Sequence, residues 1–360
     1  MADLKTLLSD PRRRNLAILG AVAVVSVLLA VLALDLQQRE TAPRYKPESF
    51  FPNLASQVRE IARIHIASKK GSFDVVFKPY KGWVLPGRDD YPASFDRVKE
   101  TVVGFAALET IEPKTARADW LRPIGLDAPP KGNGVAIALL NEQGRPLASL
   151  IAGKTEDIGD PSGAVGLFVR QPDSNQSWLV RSVFEPRSDP SDWLDKTVMD
   201  VDRARIQEAD IDPAGSASFE VRRERPSDPD FVLLDLPKGR ELSDPTAPDG
   251  VAAAISGFSF DDVRPAKDLD FGDAARVITK TFDGLSVTVQ IVMQARDFWA
   301  TVSAEAEPGK PDAAKEAREI NARANGWAYR LPAAQAQLFM TTQDSLLKPL
   351  GTPAKPAPTP

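Results

Sequence analysis

Two kinds of hydrophobic pattern divide the chain. Residues 16–34, LAILGAVAVVSVLLAVLAL, form an unbroken apolar run without a charged side chain. As a helix rising ~1.5 Å per residue, a run of this length covers about 28 Å, close to the hydrocarbon thickness of a bilayer. Twelve of its positions are Leu, Ile or Val, and at about −0.4 kcal/mol each they favour insertion by roughly 5 kcal/mol. The run therefore predicts a single transmembrane helix, with Leu16, Ile18, Leu19, Val22, Val25, Leu28, Leu29 and Leu32 as its anchor residues. The competing readings are a cleaved signal peptide and a buried helix. A signal-peptide apolar core usually runs about 7–15 residues, and Val31-Leu32-Ala33 is a poor cleavage site.

Beyond residue 50 the pattern shortens. Ile61, Ile64 and Ile66 open a strand, and Phe73, Val75 and Phe77 alternate with polar residues as the next. Lys81-Gly82 turns into Trp83-Val84-Leu85. Residues 92–108 read as a helix capped by Ser94, with Phe95, Val98, Val102, Phe105 and Leu108 at helical spacing. Strands follow at 135–140, 147–152, 166–170 and 177–182, separated by Gly, Asn, Asp and Pro clusters. The segment around Trp193 closes the unit.

The order then starts again. Ile206 and Ile211 take the place of the first strand, Phe219 and Val221 that of Phe73 and Val75, and 231–234 that of the Trp83 strand. A helix is expected at 251–258, then strands at 277–282, 285–292, 298–304 and 326–331. Ser345-Leu346-Leu347-Lys348 stands where the Trp193 segment stood. The predicted fold is α+β: a transmembrane helix followed by two tandem, diverged repeats, 50–200 and 203–350, each of mostly antiparallel strands with one main helix. One large domain whose elements recur by chance is the alternative. An insertion at 304–325, rich in Ala and charge, has helical propensity but almost no apolar face, and is expected to be a solvated helix or mobile loop. Residues 35–49 read as a tether and 351–360 as a proline-rich, disordered tail.

Charge orients the anchor. Lys5 and Arg12 to Arg14 precede it, against Arg39, Arg44 and Lys46 after it, and Asp35 marks its far end. This places a cytoplasmic tail at 1–15 and the bulk of the chain outside, which in a bacterium is the periplasmic side of the inner membrane. The net charge of −5 is spread along the chain, so no basic face invites nucleic acid. The absence of cysteine excludes disulfides, thiolate metal sites and cysteine nucleophiles.

Few residues of the chain point to chemistry. Residues 148–155, ASLIAGKT, approach a phosphate loop, but Ala148 replaces the first glycine, the stretch alternates as a strand, and Glu156-Asp157 follows instead of a helix. His65, the one histidine, stands opposite to Ile64 and Ile66 on its strand and faces solvent. Asp268-Leu-Asp270-Phe-Gly272-Asp273 resembles half a calcium loop without its closing Glu. The many aspartates read mainly as caps and turns. No catalytic residue, cofactor, metal or nucleotide is expected. Trp83 and Trp193, flanked by Lys, Gly and Asp, are the candidate interaction residues, with core packing as the alternative for each.

Several pieces together resemble a known family. They are the apolar amino-terminal run, Phe50-Phe51-Pro52-Asn53-Leu54, Gly82-Trp83-Val84-Leu85 and Tyr91-Pro92-Ala93. Then come Ile124-Gly125-Leu126-Asp127, Ile151-Ala152-Gly153-Lys154-Thr155, Gly166-Leu167-Phe168-Val169-Arg170, Trp178-Leu179-Val180 and Trp193-Leu194-Asp195-Lys196. In this order, over residues 16–200, they resemble the bacterial domain-of-unknown-function family DUF4340. Its members are stand-alone membrane-anchored proteins or accompany auxiliary components of gliding-motility-type ABC transporters. The resemblance implies a non-enzymatic accessory that binds a protein partner, such as an ABC permease or its auxiliary subunit. A module binding peptidoglycan or polysaccharide and a carboxylate-dependent hydrolase are the alternatives.

Overall fold

The computed structural model describes residues 47–349 together with Ser26, Val27 and Ala30, which are helical. The eight anchor residues, the tail 1–15, the tether up to residue 46 and the tail 351–360 lie outside the described residues. Among the described residues no helix is long and apolar enough to cross a membrane.

The alternation read from the sequence becomes antiparallel sheet. In chain order the first half contains β1 (Ile61–Ser68), β2 (Gly71–Lys78), β3 (Gly82–Leu85), β4 (Tyr91–Pro92), β5 (Glu109–Pro113), β6 (Val135–Asn141), β7 (Pro146–Glu156), β8 (Val165–Arg170) and β9 (Ser177–Ser182). The second half contains β10 (Ile206–Asp212), β11 (Phe219–Arg222), β12 (Val232–Leu233), β13 (Asp262–Pro265), β14 (Ala275–Thr281), β15 (Leu285–Gln294), β16 (Asp297–Ala306) and β17 (Trp327–Leu331). Five helices accompany them: α1 (Leu54–Gln57), α2 (Phe95–Ala106), α3 (Ala247–Ala252), α4 (Pro311–Ala324) and α5 (Ala333–Phe339).

One sheet runs β4-β3-β2-β1-β6-β7-β8-β9-β5 and the other β12-β11-β10-β14-β15-β16-β17-β13. With β4 set aside, the two follow one path. Register agrees as well: Ile64 and Ile66 face Val75 and Phe73, as Ala209 and Ile211 face Val221 and Phe219. Ser94 donates its N–H to the Trp193 carbonyl at 2.8 Å, and Ser243 does the same to Leu346 at 2.8 Å.

The chain enters the body at an edge. Ser49 pairs with Glu109 on β5, the Phe50 N–H reaches the Leu108 carbonyl at 2.8 Å, and the Thr110 N–H reaches the Glu48 carbonyl at 2.9 Å. These bonds occupy the outer side of β5, whose inner side pairs with β9.

Helix α2 starts where Ser94 caps it, its hydroxyl accepting from the Arg97 N–H at 3.3 Å. Val98, Val102 and Phe105 point into the core. Phe95, expected on the same buried stripe, is 66% exposed. The helix expected at 251–258 is the shorter α3, followed by turns through Gly257.

The insertion is not a solvated element. Helix α4 buries Ala313, Ala317, Ile320 and Ala324. Three of the four are methyl-sized, so the stripe looks polar by hydropathy yet lets the helix lie close on β16. Asn321 completes the seat, its amide accepting from the Ala304 N–H at 2.8 Å and donating to the Ala304 carbonyl at 2.7 Å. The Arg205 guanidinium clamps the helix through a bidentate pair to Glu316 at 2.9 and 2.7 Å.

One apolar core runs through both halves, from Ile64 and Leu139 to Val287 and Phe339. At the junction Tyr91 is buried, with its ring edge-on to Trp327 at 5.0 Å and to Phe260 at 6.0 Å between centroids. Its hydroxyl donates to the Asp195 carbonyl at 2.9 Å. Burial pushes the phenols of Tyr91 and Tyr329 well above their ordinary range. Arg88 holds Asp262 with two hydrogen bonds, 2.5 and 3.0 Å long. The Lys196 ammonium sits 4.4 Å from the centre of the Phe260 ring, and burial pushes its pKa down.

Trp193 belongs to this interior and not to a contact rim. It is 1% exposed, packs against Phe73 at 6.3 Å, and donates its indole N–H to the Arg187 carbonyl at 3.3 Å. The 3-10 turn Pro190–Trp193 folds it inward, so flanking polar residues did not mark exposure.

Candidate functional site

The core face of the first sheet extends further than helix α2 can cover. Phe73, Val75 and Phe77 share one face of β2, and α2 begins at Phe95. At the uncovered end Phe77 is 47% exposed, Phe95 66% and Val103 52%. Trp83, opposite Phe77 across the β2–β3 ladder, is half-buried and meets it edge to face at 5.8 Å. With Val58, Ile61, Val98 and Val102 these side chains line a cleft of about 320 Å³. Arg59 and Lys99 are its charged lining residues, and both are cationic. A polar extension of about 280 Å³ shares Arg59, Ile61 and Phe77 and continues to Asn141 and Gln143. Chemically this is a recess for apolar side chains, with Arg59 and Lys99 at its rim and the carboxylates of Glu60 and Glu142 in its polar extension.

Of the two tryptophans singled out in the sequence, the cleft takes Trp83, while Trp193 lies in the core. Phe77 and Phe95 were missed because their spacing is that of core residues. The usable signal is position: Phe77 ends the alternating run of β2 and Phe95 is the first residue after the cap, so each lies where its partner element stops.

A second cluster is charged. Oxygens of Glu208, Asp210 and Glu220 lie within 4.8 Å of one another on neighbouring strands, a spacing that could hold a cation. Two cations of the chain already stand among them. Lys280 donates to Glu208 at 2.6 Å and to Asp210 at 3.1 Å, and Arg222 pairs with Glu208 at 2.8 Å and Glu220 at 2.7 Å. Desolvation works to raise the Glu208 carboxyl, yet hydrogen bonds from Lys280 and Arg222 outweigh it and hold it low. Glu220 goes the other way, pushed up by desolvation first and by the Glu208 charge second. A carboxyl whose folded pKa is raised adds stability below its unfolded pKa of about 4.3 and loses it as pH rises through the folded value. Glu220→Gln is therefore expected to stabilise the protein at pH 7 by up to about 1 kcal/mol, with the gain fading toward pH 4. Urea midpoints of the two proteins across that range check it.

The remaining motifs are structural. Residues 148–155 lie within β7, with Leu150 and Ala152 buried, and the Lys154 N–H donates to the Ile124 carbonyl at 3.0 Å. No helix follows, so no cradle of N–H groups forms. His65 is half-exposed and bonds through Nδ1 to Asp74 at 2.7 Å, while Ile64 and Ile66 are fully buried. In the half calcium loop, Asp270 accepts the Gly272 N–H at 2.9 Å, an ordinary aspartate turn.

No curated protein and no solved structure matches the chain. A family match covers residues 83–273, more than half of the 360. It begins on the strand that carries Trp83 and runs beyond residue 200 into the second sheet, further than the sequence motifs reach. By this match the chain belongs to the family described as Domain of unknown function (DUF4340).

Proposed function

We propose that the protein is a membrane-anchored, non-enzymatic accessory whose cleft at Phe77, Trp83 and Phe95 docks a protein partner. The observation that carries this reading is the cleft itself: Phe77, Phe95 and Val103 left exposed around the half-buried Trp83, beside a well-formed core. Apolar surface gathered in this way costs free energy unless a partner covers it. The clustered carboxylates Glu208, Asp210 and Glu220, each engaged by Lys280 or Arg222, favour binding over hydrolysis. The charge-free run 16–34 supplies the single-pass anchor, with the amino terminus cytoplasmic and the bulk periplasmic at a bacterial inner membrane. The shared strand path supports a tandem duplication, 50–200 and 203–350. The partner would be an ABC-type permease or its auxiliary subunit.

The test is gentle-detergent co-purification of the full-length chain, with a Phe77→Ser/Phe95→Ser variant and an unrelated anchor as controls. Recovery of a permease or auxiliary subunit with the wild type, and its loss with the variant, is the expected result. A preparation without a partner, in conditions that preserve known transporter complexes, overturns the proposal.

A further inference from the structure

The chain reaches the body from one definite side. Residues 48–50 run antiparallel to β5, with Ser49 opposite Glu109 and the Thr110 N–H on the Glu48 carbonyl. Followed back toward the amino terminus, this edge segment advances along β5 toward Pro113. Residues 114–134, which connect β5 to β6, set out from that same end. Only residues 35–46 separate the apolar run from the described body, a length that reaches roughly 40 Å when fully extended. A body held by that run therefore keeps this end within reach of the lipid headgroups.

The connection there is firmly seated, yet it presents an aromatic ring to water. Leu121, Leu126 and Ile151 form a small core of their own beneath it, each at most 5% exposed. Trp120, next to Leu121 on the 3-10 turn Ala118–Trp120, is 56% exposed. The Arg117 guanidinium stands 5.9 Å from the ring centre and donates to Asp119 at 3.2 and 2.7 Å. Arg122 follows two residues later, and Lys154 adjoins the turn, its N–H on the Ile124 carbonyl at 3.0 Å. Both are exposed, and among the described residues neither forms an ion pair. Over residues 114–134 four cations stand against Asp119 and Asp127, in a chain whose net charge is −5. Neighbouring acids are engaged within the chain: Glu112 and Glu156 by Lys114, Asp157 by the Gly159 N–H, and Asp127 by the charge of buried Arg170.

We infer that the Trp120 turn rests on anionic lipid headgroups, with the ring at headgroup depth and Arg122 and Lys154 on the phosphates. The inference rests on the anchor reading above and adds a second contact with the same bilayer. Tryptophan suits that boundary, because its ring is apolar and its N–H stays wet. Each cation near an anionic surface adds attraction that salt screens. A turn already held by its own small core loses little freedom on contact, and the anchor keeps it at high effective concentration.

The chain has no cysteine, so an Ala118→Cys change carries one nitroxide label on the turn, and Ser303→Cys on β16 serves as the distant control. Both positions are exposed. The full-length protein is compared in phosphatidylglycerol and in phosphatidylcholine nanodiscs. Collisions of the 118 label with a water-soluble nickel relaxant are expected to fall at least about twofold in phosphatidylglycerol, and those of the 303 label to stay equal. Arg122→Glu/Lys154→Glu, which alters exposed positions alone, is expected to erase the fall, and added salt to lessen it. Trp120→Ser, with every charge kept, is expected to lessen it too. Circular dichroism matching that of the wild type shows that each variant is folded. A 118 label equally accessible in both lipids, or shielding indifferent to the charge reversal, overturns the inference and leaves the anchor standing. Shielding that grows with the number of chains per nanodisc marks contact between copies and overturns it as well. A chain that does not enter nanodiscs at all overturns the anchor reading, and this inference with it.

Discussion

Tyr91→Ala is expected to lower stability by about 3–5 kcal/mol, the range for deleting a buried aromatic ring, and to leave a single unfolding transition. Tyr91 comes from β4, the strand without a counterpart in the second sheet, yet its ring packs against Trp327 and Tyr329 of that sheet and against Phe260 just before β13. Its loss opens a cavity at the place where the two halves share their core. It also frees the Asp195 carbonyl, which sits two residues after Trp193 in the turn that closes the first half. Tyr91→Phe keeps the ring and removes that hydrogen bond alone, so it should cost only about 1 kcal/mol. Urea denaturation followed by circular dichroism and by tryptophan emission reads both halves, since Trp83 and Trp193 report one sheet and Trp299 and Trp327 the other. Two separated transitions in the wild type would show that the shared core does not couple them.

Gly153→Ala should cost about 2–3 kcal/mol through overpacking against main chain. A methyl group there would stand 2.3 Å from the Ile124 carbonyl oxygen and 3.1 Å from the Gly125 carbonyl carbon. That oxygen already accepts the Lys154 N–H, and the loop beneath it is pinned by Arg170, which donates to the Leu126 carbonyl at 2.8 Å. Neither side can retreat without breaking a hydrogen bond. Gly87→Ala is the control, because its site is open and its backbone is not left-handed; its urea midpoint should match that of the wild type. Equal midpoints for both variants would refute the close approach. The same contact explains why Ile124-Gly125-Leu126-Asp127 and Gly153-Lys154-Thr155 form two separated motifs. They are the two sides of one crossing.

Strands such as 135–141 and 285–294 are legible in the sequence because one face of each is buried and period-two alternation records that directly. The Ser94 cap is legible for an equally local reason. Helix α4 is not, because alanine buries by closeness rather than by bulk, and a hydropathy pattern weighs bulk. Trp193 misleads in the opposite sense: its neighbours in sequence are polar, while its neighbours in space are Phe73 and the core. The charged ladder of Glu208, Glu220, Arg222 and Lys280 joins three strands and has no signature along the chain. The cleft escapes for a related reason. Phe77 and Phe95 obey the spacing of core residues, and only the length of the elements around them shows that none of the described residues covers them.

The way residues 48–50 join β5 has a mechanical consequence. A pull on the chain from its amino-terminal side does not tug on a free loop. It runs along a line of main-chain hydrogen bonds at the edge of the first sheet, which must slide together instead of opening one at a time. That edge of the first sheet is thereby withheld from pairing with other chains.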